Sequence, residues 1–292
     1  MSRATGLDAR PSHRSLARDA VKLLRWIPSV IVLGVITVAV ACAIFGPVIA
    51  PQPPEAQDLL LGASPPSPQH LLGTDDLGRD VLSRLIVGAR TAIVGPLAIA
   101  AGALILGSAI GLVAGFRGGK VGSLLMRTVD LIYALPAFLV AIVLAGVIGG
   151  GYWFAVGLLV VLFCPFDARI VRGATLQQRR MPYVEATRLL GMKPSAVLLK
   201  EIWPNVRPLE LANAFLNFAF GLVYLASLAF LGIGVPPGVP DWGRMISEGL
   251  GYIELNPWGV LAPGLAIILV AASVTLIGDR LEERLADSGR TV

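Results

Sequence analysis

The sequence predicts an all-α protein that crosses a membrane six times. Of its 292 residues, 55% are hydrophobic and only 15% charged, whereas a soluble domain carries about 25% charge. The apolar residues are gathered into long runs separated by short polar stretches. Most runs reach the roughly 20 residues that a helix needs to cross a hydrocarbon core about 30 Å thick. The Lys and Arg residues fall mainly in alternate segments between these runs, as in polytopic membrane proteins.

Composition excludes other classes. The net charge of +5 comes from juxtamembrane basic residues rather than from a nucleic-acid surface, because those residues lie between apolar runs. Cys42 and Cys164 each sit inside an apolar run and read as small apolar filler. His13 and His70 are too few to build a metal cluster, so no metal site is expected.

The first 26 residues are polar, rich in Arg and assigned to the cytoplasm. The first run, Ile27–Ile49, is too long for the apolar part of a cleaved leader and has no small-residue cleavage site, so it reads as a retained span. Residues 50–90 form an extracytoplasmic linker. The core, 91–278, holds runs at Thr91–Phe116, Leu131–Gly149, Tyr152–Phe166, Leu211–Gly234 and Pro257–Gly278. The fourth is short, and its span extends over 150–168. Residues 279–292 form a cytoplasmic tail. Trp26, Trp153 and Trp258 fall at span ends, where interfacial anchors belong. Gly107, Gly111 and Gly115 recur at every fourth position of the second run, a face that allows close approach of another helix, either to slide on it or simply to pack.

Orientation follows from the basic residues. With the N-terminus inside, 20 of the 24 Lys and Arg residues are cytoplasmic, and only Arg79, Arg84, Arg90 and Arg244 lie outside. Both termini are therefore expected in the cytoplasm. No ionisable residue falls at the middle of a run; Asp130, Asp167 and Asp279 are read as lying near cytoplasmic ends. That pattern argues against an ion-coupled carrier and against a membrane enzyme with buried acid–base chemistry. Nor is there a nucleotide site. In the run Ala114 to Val121, alanine stands at the first glycine of a phosphate loop, and valine stands where a hydroxyl would meet magnesium.

Two loops carry the functional signal. In the basic loop 169–207, Pro182 opens a helix and Glu185 complements its positive end. Gly191 suits a left-handed cap and Pro194 blocks continuation. The product is a short, rigid helix suited to a groove in another protein. The other loop runs from His70 to Arg84. Its acidic residues Asp75, Asp76 and Asp80 read as pairing locally with Arg79 and Arg84 and capping a helix from near Leu77. Contact with a binding protein or a cation is the other reading, and a nickel ligand is the other reading of His70.

Glu185-Ala186-Thr187, Gly191 and Ile202-Trp203-Pro204 resemble the "EAA" coupling loop of bacterial ABC importer permeases, with Thr187 for the usual second alanine and Trp203 for the usual leucine. His70 to Arg84 resembles the signature before the second span in C-type permease subunits of dipeptide, oligopeptide and nickel importers. Arg127 to Asp130, Ala134-Leu135-Pro136, Ala229 to Val235, Pro240 to Gly243 and Leu276 to Leu281 are similar to further stretches of that family. The usual Asp-Pro after the last of these is missing.

The resemblance implies a type I ABC importer permease fold in the bacterial inner membrane. It implies pairing with a B-type permease, two ABC ATPase subunits and an extracytoplasmic solute-binding protein. ATP and magnesium would be bound by the ATPases, leaving this chain without a cofactor and without catalysis. Coupling falls to Tyr183, Glu185, Ala186, Thr187, Arg188, Gly191, Met192 and Pro204. The signature residues are Gly73, Thr74, Asp75, Gly78, Arg79 and Asp80. Peptide is the default substrate, with glutathione and nickel chelates as alternatives. Spans three, five and six are expected to line the path, without assigned residues.

Overall fold

The computed structural model describes residues 13–288, with side chains from 30 to 283. Arg3, Arg10 and Arg290 lie outside the described residues, as do the side chains of Arg14, Arg18, Lys22, Arg25, Trp26 and Arg284. The fold is all-α and membrane-spanning. Among the described residues there is no strand, only the isolated bridge between Thr74 and Asp80.

Helix α1 (His13–Ile49) carries its apolar stretch from Val30 to Ile49. Helix α2 (Val81–Arg117) begins ten residues before its apolar run, inside the stretch assigned as linker. Its start is fixed by Asp80, which has an extended backbone and whose Oδ2 accepts the Ser83 N–H at 2.8 Å. A side-chain acceptor at this position satisfies one of the orphan N–H groups of the first turn. The helix does not begin near Leu77, because residues 77–79 fold back around Asp75 instead.

The third apolar run is bent rather than straight. Helix α3 (Gly119–Tyr133) and helix α4 (Ala137–Ile148) meet at 76°. Pro136 has no N–H to donate and pushes Leu135 out of the helical region, which breaks the rod there. Alone, α4 is 12 residues, about 18 Å at 1.5 Å per residue, too short for a crossing. Helix α5 (Gly151–Gln178) runs well past Phe166. Asp167 is therefore inside a helix and buried, not at its end.

Helix α6 (Pro182–Leu189) follows, then the single turn α7 (Pro194–Ala196), a six-residue π-helix (Val197–Ile202) and helix α8 (Trp203–Phe230). The fifth run is thus the far part of a rod that starts at Pro194. Helix α9 (Trp242–Gly249) is short, and α10 (Trp258–Ser288) closes the chain. Among the described residues, five helical segments are long and apolar enough to cross a membrane, and the bent α3–α4 pair makes a sixth if counted as one. Trp153 and Trp258 are exposed at the first turns of α5 and α10.

Helix α2 is the centre of the bundle, in contact with α1, α3, α5, α8, α9 and α10. Its α5 face is set by glycine. A Cβ at Gly102 would meet Val160, one at Gly107 would meet Asp167 Cβ, one at Gly111 would lie 2.7 Å from the Ala168 carbonyl oxygen, and one at Gly115 would meet Thr175. On the other side Ala89, Ala92 and Ala100 pack with Ala39 and Ala43 of α1, Phe218 of α8 and Val270 of α10. Leu159 of α5, Leu225 of α8 and Ala141 of α4 form a second cluster around Ile99. Large apolar side chains on α1 and α4, among them Leu33, Leu139 and Val147, point outward, as a lipid-facing surface requires.

Close packing at Gly111 gives a direct expectation. Gly111→Val should lower stability by about 1–3 kcal/mol through overpacking, read as a lower unfolding midpoint in detergent. Gly157 of α5 is the control, because a Cβ added there would have nothing within 4 Å. Gly157→Ala should hold or raise the midpoint, since alanine favours the helix by about 0.5–1 kcal/mol.

Candidate functional site

The two informative loops lie at opposite ends of the bundle. At one end stands α6. Pro182 occupies its first turn, and Glu185 is its first-turn acid. Its far end closes with the Gly191 N–H donating to the Arg188 carbonyl at 3.0 Å and the Met192 N–H donating to the Thr187 carbonyl at 3.2 Å. That is a Schellman motif, and it requires the positive φ of +78° that Gly191 adopts. Lys193 is extended and Pro194 starts the next turn.

Helix α6 is anchored by one side chain. Val184 is wholly buried against Val197, Ile202 and Val206, beside Leu112 of α2 and Val171 of α5. Tyr183 fixes its orientation. Its hydroxyl donates to Gln178 Oε1 at 2.7 Å and accepts from Asn205 Nδ2 at 3.3 Å. Burial pushes this phenol above its ordinary pKa. The Arg188 guanidinium lies 5.5 Å from the centre of the Phe116 ring, and the Thr187 hydroxyl donates back to the Val184 carbonyl. Met192 is half-buried in the same cluster, and Pro204 is exposed on the first turn of α8, next to the Asn205 that holds Tyr183.

The outward face of α6 presents Glu185, Ala186 and Arg188. It also presents Leu189 and Leu190, 84% and 83% exposed. These two leucines are not among the residues that the sequence singles out. A pair of leucines across a helix cap in an otherwise polar loop is the signal that finds them.

At the other end the signature residues form a lock. Gly73 and Gly78 both have φ +73°, and a Cβ at either would strike a neighbouring carbonyl oxygen, of Ser64 and Asp58 respectively. The Thr74 hydroxyl donates to the Gly62 carbonyl at 2.7 Å. Asp75 Oδ1 accepts the Leu77 and Arg79 N–H groups, and its Oδ2 takes Arg79 Nε at 2.7 Å and Arg84 Nε at 3.5 Å. Both arginines reach on to Glu248 Oε2 of α9, at 3.3 and 3.1 Å. Arg244 binds the other Glu248 oxygen at 2.9 Å.

The local pairing of Asp75 with both arginines is present, while Asp76 is exposed and only 3.9 Å from Arg79 Nη2. Asp80 caps α2, and its other oxygen lies 3.0 Å from His70 Nδ1.

Asn256, outside the sequence motifs, and Asp241, within the Pro240 to Gly243 stretch, complete the lock. Asn256, fully buried, donates Nδ2 to the Leu72 and Thr74 carbonyls. Asp241 caps α9 and accepts the Thr91 hydroxyl of α2 at 2.8 Å, while Tyr152 of α5 donates to the Thr91 carbonyl. Burial raises the Asp241 carboxyl above its ordinary value, against the hydrogen bonds from Thr91, Arg244 and Gly243. Burial, with Asp75 and Asp76 nearby, likewise raises the Tyr252 phenol.

The chain is thus a polytopic helical bundle with an exposed helix at one end and an ion-locked cap at the other. Residues 107–287 match the family described as the binding-protein-dependent transport system inner membrane component, and the chain belongs to that family. It is 38% identical to the di/tripeptide transport system permease protein DppC of Pseudomonas aeruginosa, over 84% of this chain and 83% of that one. It is 35% identical to the oligopeptide transport system permease protein OppC of Bacillus subtilis, over 87% and 83%. Among solved structures, a chain of the MetNI methionine ABC transporter in an inward-facing conformation shares the fold, with a TM-score of 0.55 and 22% identity over 69% of this chain and 95% of that one.

Removing half of the lock should be costly. Asp75→Asn leaves the buried Arg79 and Arg84 with fewer counter-charges and should cost about 3–5 kcal/mol. Asn256→Ala orphans two carbonyls, at about 1–3 kcal/mol each. Thermal unfolding in detergent checks both, and limited proteolysis of residues 50–80 should accelerate in each variant.

Proposed function

We propose that this chain is the permease subunit of an ATP-driven importer, forming half of a translocation path for di- or oligopeptides. The carrying observation is α6, a capped helix seated by one buried valine and offering Glu185, Arg188, Leu189 and Leu190 to a partner. The peptide assignment is supported by the names of the DppC and OppC relatives. A glutathione importer is the second reading, favoured by 32% identity to the glutathione transport system permease protein GsiD of Pectobacterium atrosepticum over 75% of this chain and 73% of that one. The nickel alternative gains nothing from His70, which is engaged with Asp80.

In this reading the chain sits in the bacterial inner membrane with both termini in the cytoplasm. It pairs with a B-type permease and is flanked by two ABC ATPase subunits. A solute-binding protein docks at the α9 end. ATP and magnesium are bound by the ATPases, and this chain supplies no catalytic group and no cofactor. ATP binding brings the ATPases together and moves α6 with them. Because α6 rests on the π-helix and the start of α8, the movement passes into the rod that runs from Pro194 to Phe230. The bundle rocks and opens outward to receive the substrate, and hydrolysis restores the inward-facing state.

Coupling is testable at the exposed face. Glu185→Lys, Gly191→Leu and the double change Leu189→Ser with Leu190→Ser should each lower substrate-stimulated ATPase activity and uptake at least tenfold in proteoliposomes, with membrane insertion unchanged. Wild-type stimulation in all three would remove α6 as the coupling element. Uptake that persists without the ATPases and collapses with a protonophore would instead establish a secondary carrier. Affinity measurements on the partner solute-binding protein separate peptide from glutathione.

A further inference from the structure

Two carboxyl groups lie inside the bundle. Asp167 of α5 and Glu210 of α8 are each 4% exposed. At about 1.5 Å per residue, Asp167 is about 24 Å along α5 from Gly151, and Glu210 is about 30 Å from the far end of α8. Both therefore sit within the helices, toward the α6 end. Gly107 of α2 packs on Asp167 Cβ, and the next residue, Ser108, is 8% exposed and within range of Glu210.

The two acids have different partners. Asn213 and Asn217 donate Nδ2 to the two oxygens of Asp167, Asn217 at 2.8 Å. A set made only of donors suits the ionised carboxylate, which only accepts. Glu210 receives one donor, Trp203 Nε1, on Oε2 at 3.3 Å. Its Oε1 has no partner, and neither has the buried Ser108 Oγ.

Among the described residues, no ion pair includes Asp167 or Glu210. The neighbouring stretch of α2 has no ionisable residue. On α5 the titratable groups nearby are Cys164, Arg169, which pairs with Asp130, and Arg172, and on α8 Arg207 stands one turn before Glu210. Helix α3 presents Met126 and Val129 to Ala168, and its Asp130 is paired with Arg169. Helix α10 sets Gly278 against Ala212 and Phe215, with Asp279 and Arg280 following toward its end. Two unpaired negative charges in a helix bundle within a membrane are expensive, and such groups take up a neutralising ligand.

We propose that Asp167 and Glu210 form a proton-binding site within the membrane, with Asp167 as the carboxylate and Glu210 as the acid that directs its proton from Oε1 toward Ser108 Oγ. One proton then joins the two unpartnered atoms as donor and acceptor and halves the buried charge. The site spans α2, α5 and α8, so a movement that parts Glu210 from Ser108 weakens proton binding. Proton concentration thereby enters the balance between conformations. The site itself does not depend on what the transporter carries.

Infrared spectroscopy of the intact complex in lipid nanodiscs tests this directly. The wild type should show at neutral pH a carbonyl band of a neutral carboxyl that shifts in D2O. Glu210→Gln should lose that band, while Glu55→Gln, an exposed control, should keep it. Ser108→Ala, which removes the acceptor, should keep the band and move it to higher frequency. The idea fails if Glu210→Gln removes no such band. Should that variant not fold, an unchanged band frequency in Ser108→Ala sinks the idea. It fails too if sodium raises the unfolding temperature of the wild type but not of Glu210→Gln, since the occupant would then be a metal cation.

Discussion

Most helices of this bundle pack against α2, and α2 can serve that purpose because it lacks side chains where α5 approaches. Within a membrane, apolar burial gives helices little reason to associate, since lipid is as apolar as they are. Close van der Waals contact must supply the difference. Gly102, Gly107, Gly111 and Gly115 let α5 come near enough for its backbone to touch α2. Once α5 is fixed, Leu159 and Leu225 hold α4 and α8, and the second face of α2 receives α1 and α10. The same approach brings Ser108 and Asp167 to one level.

The ends of the bundle follow a different physics. At the α9 end, polar atoms that would otherwise be stranded at the rim satisfy one another. Asp75 serves two arginines, Glu248 serves three, and Asn256 closes two carbonyls. Buried charge of this kind adds little stability over an apolar core, but removing one partner leaves the others uncompensated. The α6 end is the reverse. One valine and one tyrosine hold the helix, and the outer face is left without intramolecular partners at Leu189 and Leu190. One end is fixed by many mutual contacts; the other keeps its largest apolar surface uncovered.

The parts of this design that are legible in the sequence are those written by near neighbours. Hydropathy marks the spans, and Pro182, Gly191 and Pro194 mark α6 almost to the residue. Capping shifts the start of α2 to Val81 because Asp80 outweighs the polarity of the turn that follows it. The third span defies a reading by hydropathy because an apolar run says nothing about direction, while one proline within it turns the chain by 76°. The least legible residues have partners far away. Asp167 sits at the end of an apolar run and reads as an interfacial acid. Its burial depends on Asn213 and Asn217, and the ionic lock depends on Glu248 and Asn256, all distant in sequence. No periodicity or spacing rule encodes such pairings.

The π-helix under α6 has a geometric consequence. Residues five apart on an α-helix point about 140° away from one another at 3.6 residues per turn, so Val197 and Ile202 could not both face one neighbour. A turn closed by i→i+5 hydrogen bonds is wider and brings such a pair much nearer to one face. Both valine and isoleucine are fully buried in the cluster that receives Val184, and Val206 continues the same column one α-turn later. The seat of α6 is thus set by the number of residues in that turn as much as by their kind. A chain one residue shorter there would keep every apolar side chain and still present α6 with a different face of the rod.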